Sequence, residues 1–129
     1  MLNIGQAAKA SGVSAKMIRH YEAIGLIPDS RRSQAGYRLY QAQDLHTLRF
    51  IKRARSMGFS LDRIRQLLSL WQDQTRASAD VKDLALAHVA ELDARIREMT
   101  EMRDVLLRLV GACQGDQRPD CPILCGLAE

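Results

Sequence analysis

The sequence predicts a mainly α fold: a basic helix-turn-helix head with a hairpin wing, then one long helix, then a short cysteine-bearing tail. Three observations carry that prediction. Helical hydrophobic spacing broken by caps and glycines runs through residues 1–70, the stretch from about Ala79 to Val110 holds neither Pro nor Gly, and all three cysteines fall within the last 17 of the 129 residues. The implied organisation is a head over residues 1–70, a hinge over 71–78, a long helix over 79–111 and a loop with the chain's tail over 112–129.

Asn3 and Gln6 have the spacing of a capping box, and they open a helix whose apolar side is Ile4, Ala7 and Ala8. Ser11-Gly12-Val13 breaks it. Ser14 caps a second helix running to about Ile24, with Met17, Ile18 and Tyr21 on one side and Lys16, Arg19 and His20 on the others. Gly25 ends that helix, and the pair forms a helix-turn-helix pattern. From Ile27 to Tyr40 the chain carries Pro28, Arg31, Arg32, Gly36, Tyr37, Arg38 and Tyr40, where the glycine permits a turn and Tyr-Arg-Leu-Tyr alternates as a strand does. This reads as a hairpin wing. A third helix starts near Gln43 and turns Leu45, Leu48, Ile51 and Ala54 inward; Gly58 stops it, and Ser60 caps a fourth that reaches about Leu70.

Beyond the polar joint, Ala85, Val89, Leu92, Ile96, Met99, Leu106 and Val110 follow three- and four-residue steps, interrupted in phase at Arg103. Such a helix is about 45 Å long. It cannot bury its stripe against a small head, so the stripe calls for another chain, and a symmetric homodimer satisfies both copies with one patch.

Composition is that of a soluble globular protein, with 47% hydrophobic and 26% charged residues. The first residues have no basic flank followed by an apolar stretch and no run approaches membrane-spanning length, so secretion and membrane insertion are not expected. The odd, clustered cysteines cannot staple the bulk of the chain, and a reducing cytoplasm is the expected setting. Charge is segregated: residues 1–69 carry three Lys and nine Arg against Glu22, Asp29, Asp44 and Asp62, a net +8, while residues 70–129 net −4. A field of that shape steers the head toward a polyanion, with nucleic acid the obvious candidate. At the other end, Cys113 and Cys121 bracket the loop from Gln114 to Asp120, a pair of thiolates suited to a soft metal ion.

Over essentially the whole chain, these residues resemble the MerR family of bacterial transcriptional regulators. The matching stretches are Ile18-Arg19-His20-Tyr21-Glu22, Gly25-Leu26-Ile27, Gly36-Tyr37-Arg38-Leu39-Tyr40, Leu48-Arg49-Phe50-Ile51 and Met57-Gly58-Phe59-Ser60-Leu61, followed by Ile64. Ala112-Cys113-Gln114-Gly115-Asp116, Asp120-Cys121-Pro122-Ile123 and Ser78-Ala79-Asp80-Val81-Lys82 are similar to the copper(I)-responsive CueR branch. The resemblance implies a winged helix-turn-helix DNA-binding domain, an antiparallel coiled-coil dimer and a C-terminal metal-binding loop. It also implies a mode of action: the dimer sits on a promoter whose polymerase elements are badly spaced, and effector binding makes it distort the double-stranded DNA so that RNA polymerase can read them. Bending of that kind costs of order several kcal/mol.

The resemblance further points to particular side chains. Lys16, Arg19 and Tyr21 of the second helix and Arg32, Tyr37 and Arg38 of the wing are the expected DNA-binding residues, the alternative being a solvated basic face with Tyr21 partly in the core. Cys113 and Cys121 are the expected metal ligands. Copper(I) is soft and accepts two thiolates in near-linear geometry, leaving a single residual negative charge. Ser78 and Lys82 are expected just outside the ligands: Ser78 stands where regulators of divalent ions place a Cys, and Lys82 with the helix N-terminus balances the residual charge across the dimer. Silver(I) and gold(I), of the same charge and softness, are expected as further ligands.

Cys125 reads first as a spare thiol, His20, His46 and His88 as structural or surface groups, and Met99 and Met102 as packing. The alternative reading is a regulator tuned mainly to gold or to a divalent ion such as zinc, cadmium or lead. An enzyme is not expected, because no base-and-orienter pair accompanies either thiol.

Overall fold

Capping places the first two helices. Asn3 accepts from the Gln6 amide while the Gln6 side chain accepts from the Asn3 amide, which starts α1 (Ile4–Ser11). Gly12, at φ 76°, ends it in the left-handed conformation open to glycine. Ser14 accepts from the Met17 amide and starts α2 (Ala15–Ala23). The computed structural model describes residues 1–29, 31–73, 75–117 and 119–129, with Arg31 described by its backbone. It falls into two compact units, Met1–Ala77 and Ser78–Glu129.

In the first unit, β1 (Arg31–Arg32) pairs antiparallel with β2 (Arg38–Leu39), Arg31 opposite Leu39 and Arg32 opposite Arg38. The hairpin is shorter than the expected alternation: Gly36 (φ 84°) turns the chain, Ser33 binds Tyr37 through backbone and hydroxyl, and pairing passes on to a bridge between Leu2 and Tyr40. α3 (Ala42–Ser56) and α4 (Leu61–Gln72) complete the head, the latter capped by Ser60 as expected.

Ile18, Tyr40, Leu48, Ile51 and Ile64 are wholly buried and form the centre of one core with Ala7, Val13, Tyr21, Leu26, Ile27, Ala54 and Leu68. Each large aliphatic side chain there contributes roughly 1.5–3 kcal/mol relative to exposure. Two arginines tie the helices together. Arg65 donates to the carbonyls of Ile24 and Gly25 at 2.9 and 3.2 Å, closing the C-terminus of α2, and Arg49 donates to Ala10 at the end of α1. After α4, the Asp73 carboxylate accepts from the Thr75 hydroxyl and amide, which hold its pKa below the ordinary carboxylate value.

The second unit is α5 (Ser78–Ala112) with α6 (Pro122–Ala128) folded back on its end. α5 has 35 residues, one more at each end than the helix expected over 79–111. Ser78 is its first residue. α6 is an element the tail did not announce. Pro122 fits its first turn, where a missing N–H costs nothing. Gly126 sits so close to Leu109 of α5 that a side chain there would collide with it. Along α5, Val89, Ile96, Met99, Leu106 and Val110 are all exposed, as are Leu86, Met102, Val105 and Leu107. Among the described residues, no helix is long and apolar enough to cross a membrane.

Candidate nucleic-acid interface and metal loop

The cap at Ser14 fixes the phase of α2. Ile18, Tyr21 and Glu22 then point inward, while Lys16 and Arg19 are exposed. The wing turn brings Arg32, Tyr37 and Arg38 to the same part of the head: Arg19, Arg32, Tyr37 and Arg38 line one open concavity of about 250 Å³ with Ile4 and Gly36. Tyr37 is 70% exposed, an expensive position for an aromatic ring with nothing to meet. Arg32 and Arg38 face each other directly across the two-stranded ladder, an arrangement that like charges disfavour. Arg32 offsets part of this by donating to the Gly36 carbonyl at 3.1 Å. Three guanidinium groups around one open hollow suit an anion with several oxygens, as a phosphate backbone presents.

Tyr21 requires a correction. Expected at the DNA surface, it is only 4% exposed and belongs to the core, because its position on α2 turns it toward Ile18, Leu26 and Ile27. Lys16 is exposed on α2 but does not line the hollow.

Three other residues of the head had no individual role assigned from the sequence. Glu22 is buried at 8% exposure, accepts a short hydrogen bond from the Tyr40 hydroxyl, and stands 3.6 Å from Arg38 Nε. The signal was its position four residues after Ile18, which puts an acid on the apolar face of a helix. Arg49 and Arg65 gave no such signal, since their carbonyl partners lie 39 to 41 residues away in the chain.

At the other end of the second unit, Cys113 follows directly on α5 and donates its amide to Val110 at 3.1 Å. Cys121 caps α6, its carbonyl accepting from the Cys125 amide at 3.0 Å. Gly115, at φ 67°, supplies the turn between them; Arg118 of this loop lies outside the described residues. All three thiols are free, Cys113 and Cys121 half-buried and Cys125 exposed. No group of three or more Cys, His, Asp or Glu side chains that could hold a metal occurs among the described residues. The two half-buried thiols suit a soft ion content with two ligands.

The histidines have other work. His46 and Phe50 both meet Trp71 edge-on, at 5.3 and 4.8 Å between ring centres, and buried His88 pairs with Glu91 at 3.8 Å. Ser78 and Lys82 are exposed in the first turns of α5, whereas the cysteines lie beyond its far end. A continuous helix of 35 residues separates them, about 50 Å, so one chain does not bring these expected neighbours together.

Comparison with known proteins fits both ends of the chain. The family described as MerR HTH family regulatory protein matches residues 2–71, and that described as MerR, DNA binding matches residues 45–109. Heavy metal-dependent transcription regulator 2 of Rhizobium meliloti is 55% identical over 123 residues, covering 95% of this chain and 84% of that protein. The transcriptional regulator CueR of Escherichia coli O157:H7 is 44% identical over 123 residues, 95% of this chain and 91% of that one. Among solved structures, the regulator PbrR691 from Ralstonia metallidurans CH34 in complex with lead(II) superposes with a TM-score of 0.84 at 33% identity, over 98% of this chain and 99% of that one. These relatives are transcription regulators and not enzymes. The chain belongs to the MerR family of helix-turn-helix transcription regulators, in the branch that includes CueR and the heavy-metal regulators.

Proposed function

We propose that this protein is a copper(I)-responsive regulator of the bacterial cytoplasm that binds promoter DNA as a homodimer and activates copper efflux or detoxification genes by distorting that DNA for RNA polymerase. The observation that carries the metal assignment is the pair of half-buried thiols at the two bases of the tail loop, combined with a serine rather than a cysteine at position 78. Cys113 and Cys121 would hold the ion, and the two thiolates would tie the end of α5 to the start of α6. Binding can change DNA geometry only through contacts that differ between the free and bound states, and a closed loop is such a difference.

The dimer follows from the length of α5. If the two long helices run antiparallel, Ser78 and Lys82 of one protomer lie beside the cysteines of its partner, and the exposed stripe is covered. Lys82 and the positive end of α5 then balance the negative charge left when a monovalent ion meets two thiolates. Silver(I) and gold(I) share the charge and softness of copper(I) and would bind the same pair. A divalent ion is the competing reading, favoured by the lead(II) complex of the structural relative and by the third thiol at Cys125. Competition binding on fully reduced protein separates the two: zinc or lead displacing copper(I) would overturn the copper assignment.

Ser78→Cys adds a soft ligand where the hydroxyl is a poor one. It is expected to extend the response to divalent ions, read as transcription across a metal panel; an unchanged profile would remove Ser78 from selectivity. For DNA, Arg19, Lys16, Arg32, Tyr37 and Arg38 form the proposed contact surface, with Tyr21 contributing core packing. Arg19→Ala is expected to weaken operator binding by about 1–3 kcal/mol if it forks onto a base edge, with metal affinity unchanged. Fluorescence anisotropy over a salt series checks this, and a loss that disappears at high salt would mark Arg19 as a phosphate contact alone.

A further inference from the structure

We infer that Glu22 is a positioning residue for DNA recognition, its buried carboxylate setting the Arg38 guanidinium and the wing against α2. This rests on the reading that Arg38 meets DNA. Of the four acidic residues in the head, Glu22 alone is buried. A carboxylate beneath a surface meant for a polyanion weakens attraction, and burying one is costly without partners. Its partners come from the wing. Arg38 and Tyr40 stand two apart, on one face of the strand and its continuation. The Tyr40 hydroxyl donates to one carboxylate oxygen of Glu22, and Arg38 Nε lies 3.6 Å from the other.

That Nε is buried and makes no hydrogen bond among the described residues, although the arginine side chain as a whole is 26% exposed. The ion pair with Glu22 is made at this buried atom, and Arg38 also lines the hollow shared with Arg19 and Arg32. One carboxylate on the helix thus gathers two side chains of the wing and compensates the Arg32–Arg38 repulsion across the ladder.

Position and charge predict opposite results. If Glu22 acted only as a negative charge, Glu22→Gln would tighten binding to every duplex. As the positioning residue of an arginine that forks onto a base edge, it should lower affinity for the selected sequence, while the unselected duplex reports only the lost negative charge. The test measures the full-length dimer at fixed salt against a duplex selected by the wild type from a random pool and against an unselected duplex of equal length. Glu22→Gln is expected to lower affinity for the selected duplex about tenfold and leave the unselected one equal or tighter, and in an Arg38→Ala background it should change the former by less than about twofold.

A parallel rise on both duplexes, or the full loss persisting without Arg38, would overturn the inference. Arg38→Ala alone leaving the selected duplex unaffected would instead remove the wing reading, and the inference with it. If Glu22→Gln does not fold, Tyr40→Phe keeps the ring and deletes one donor; a roughly threefold loss that needs Arg38 supports the arrangement, and no loss overturns it.

Discussion

Cys113→Ser or Cys121→Ser is expected to abolish metal-dependent transcription while leaving operator affinity within about twofold of wild type. The substitution is nearly isosteric, so its effect is chemical: a hydroxyl stays protonated at neutral pH and is a hard, weak ligand for a soft ion. A site with two ligands loses half its donor set, and the loss in metal affinity should exceed the roughly 10–100-fold that follows removal of an outer supporting group. The DNA surface should not notice. Both cysteines lie in the unit Ser78–Glu129, and neither belongs to the core that positions α2 and the wing. Run-off transcription with buffered copper(I) under reductant, paired with a gel shift on the same samples, reads the two effects separately. Cys125→Ser serves as the control, since an exposed thiol outside the pair should leave both readouts intact. Parallel loss of DNA binding and activation would count against separate DNA and sensor sites.

How much of this was legible in the sequence depends on how far apart the interacting residues are in the chain. The caps at Asn3, Ser14 and Ser60 and the glycine stops at Gly12, Gly25 and Gly58 act within one turn of helix, and each falls where its residues indicated. Leu48, Ile51 and Ala54 were readable as inward-facing for the same reason. The wing residues were readable by composition, but not the pairing of Arg32 with Arg38, which depends on the length of the turn. Tyr21 illustrates the ambiguity of an amphipathic side chain: a tyrosine on a basic helix suits a phosphate or a core, and only the packing of Leu26 and Ile27 decides. α6 was missed because seven residues give too short a period to recognise, and because its fit depends on Gly126 meeting Leu109. Glu22, Arg49 and Arg65 find their partners through the folded head, beyond the reach of local pattern.

Ile96→Asp tests the remaining part of the proposal, and its expected effect is larger than that of any single DNA contact. Ile96 is 60% exposed in the single chain and lies one residue from the midpoint of α5, which spans Ser78–Ala112. In an antiparallel pair the midpoint lies on the two-fold axis, so position 96 meets or nearly meets its own copy. An aspartate there buries two carboxylates beside each other, at about 3 kcal/mol for each protomer. The two together correspond to roughly a 10⁴-fold rise in the dimer dissociation constant, observable by analytical ultracentrifugation. Operator affinity should fall with it, since a monomer spans one half-site. Copper(I) binding should weaken without vanishing, because the two thiolates stay on one chain while Ser78 and Lys82 of the partner are lost. Circular dichroism separates this from unfolding, as the exposed Ile96 lies outside the core of the single chain. A variant that dimerises as tightly as wild type would show that the stripe through Val89, Ile96 and Met99 is not the dimer seam, and the charge balance proposed for the metal loop would lose its partner-supplied lysine.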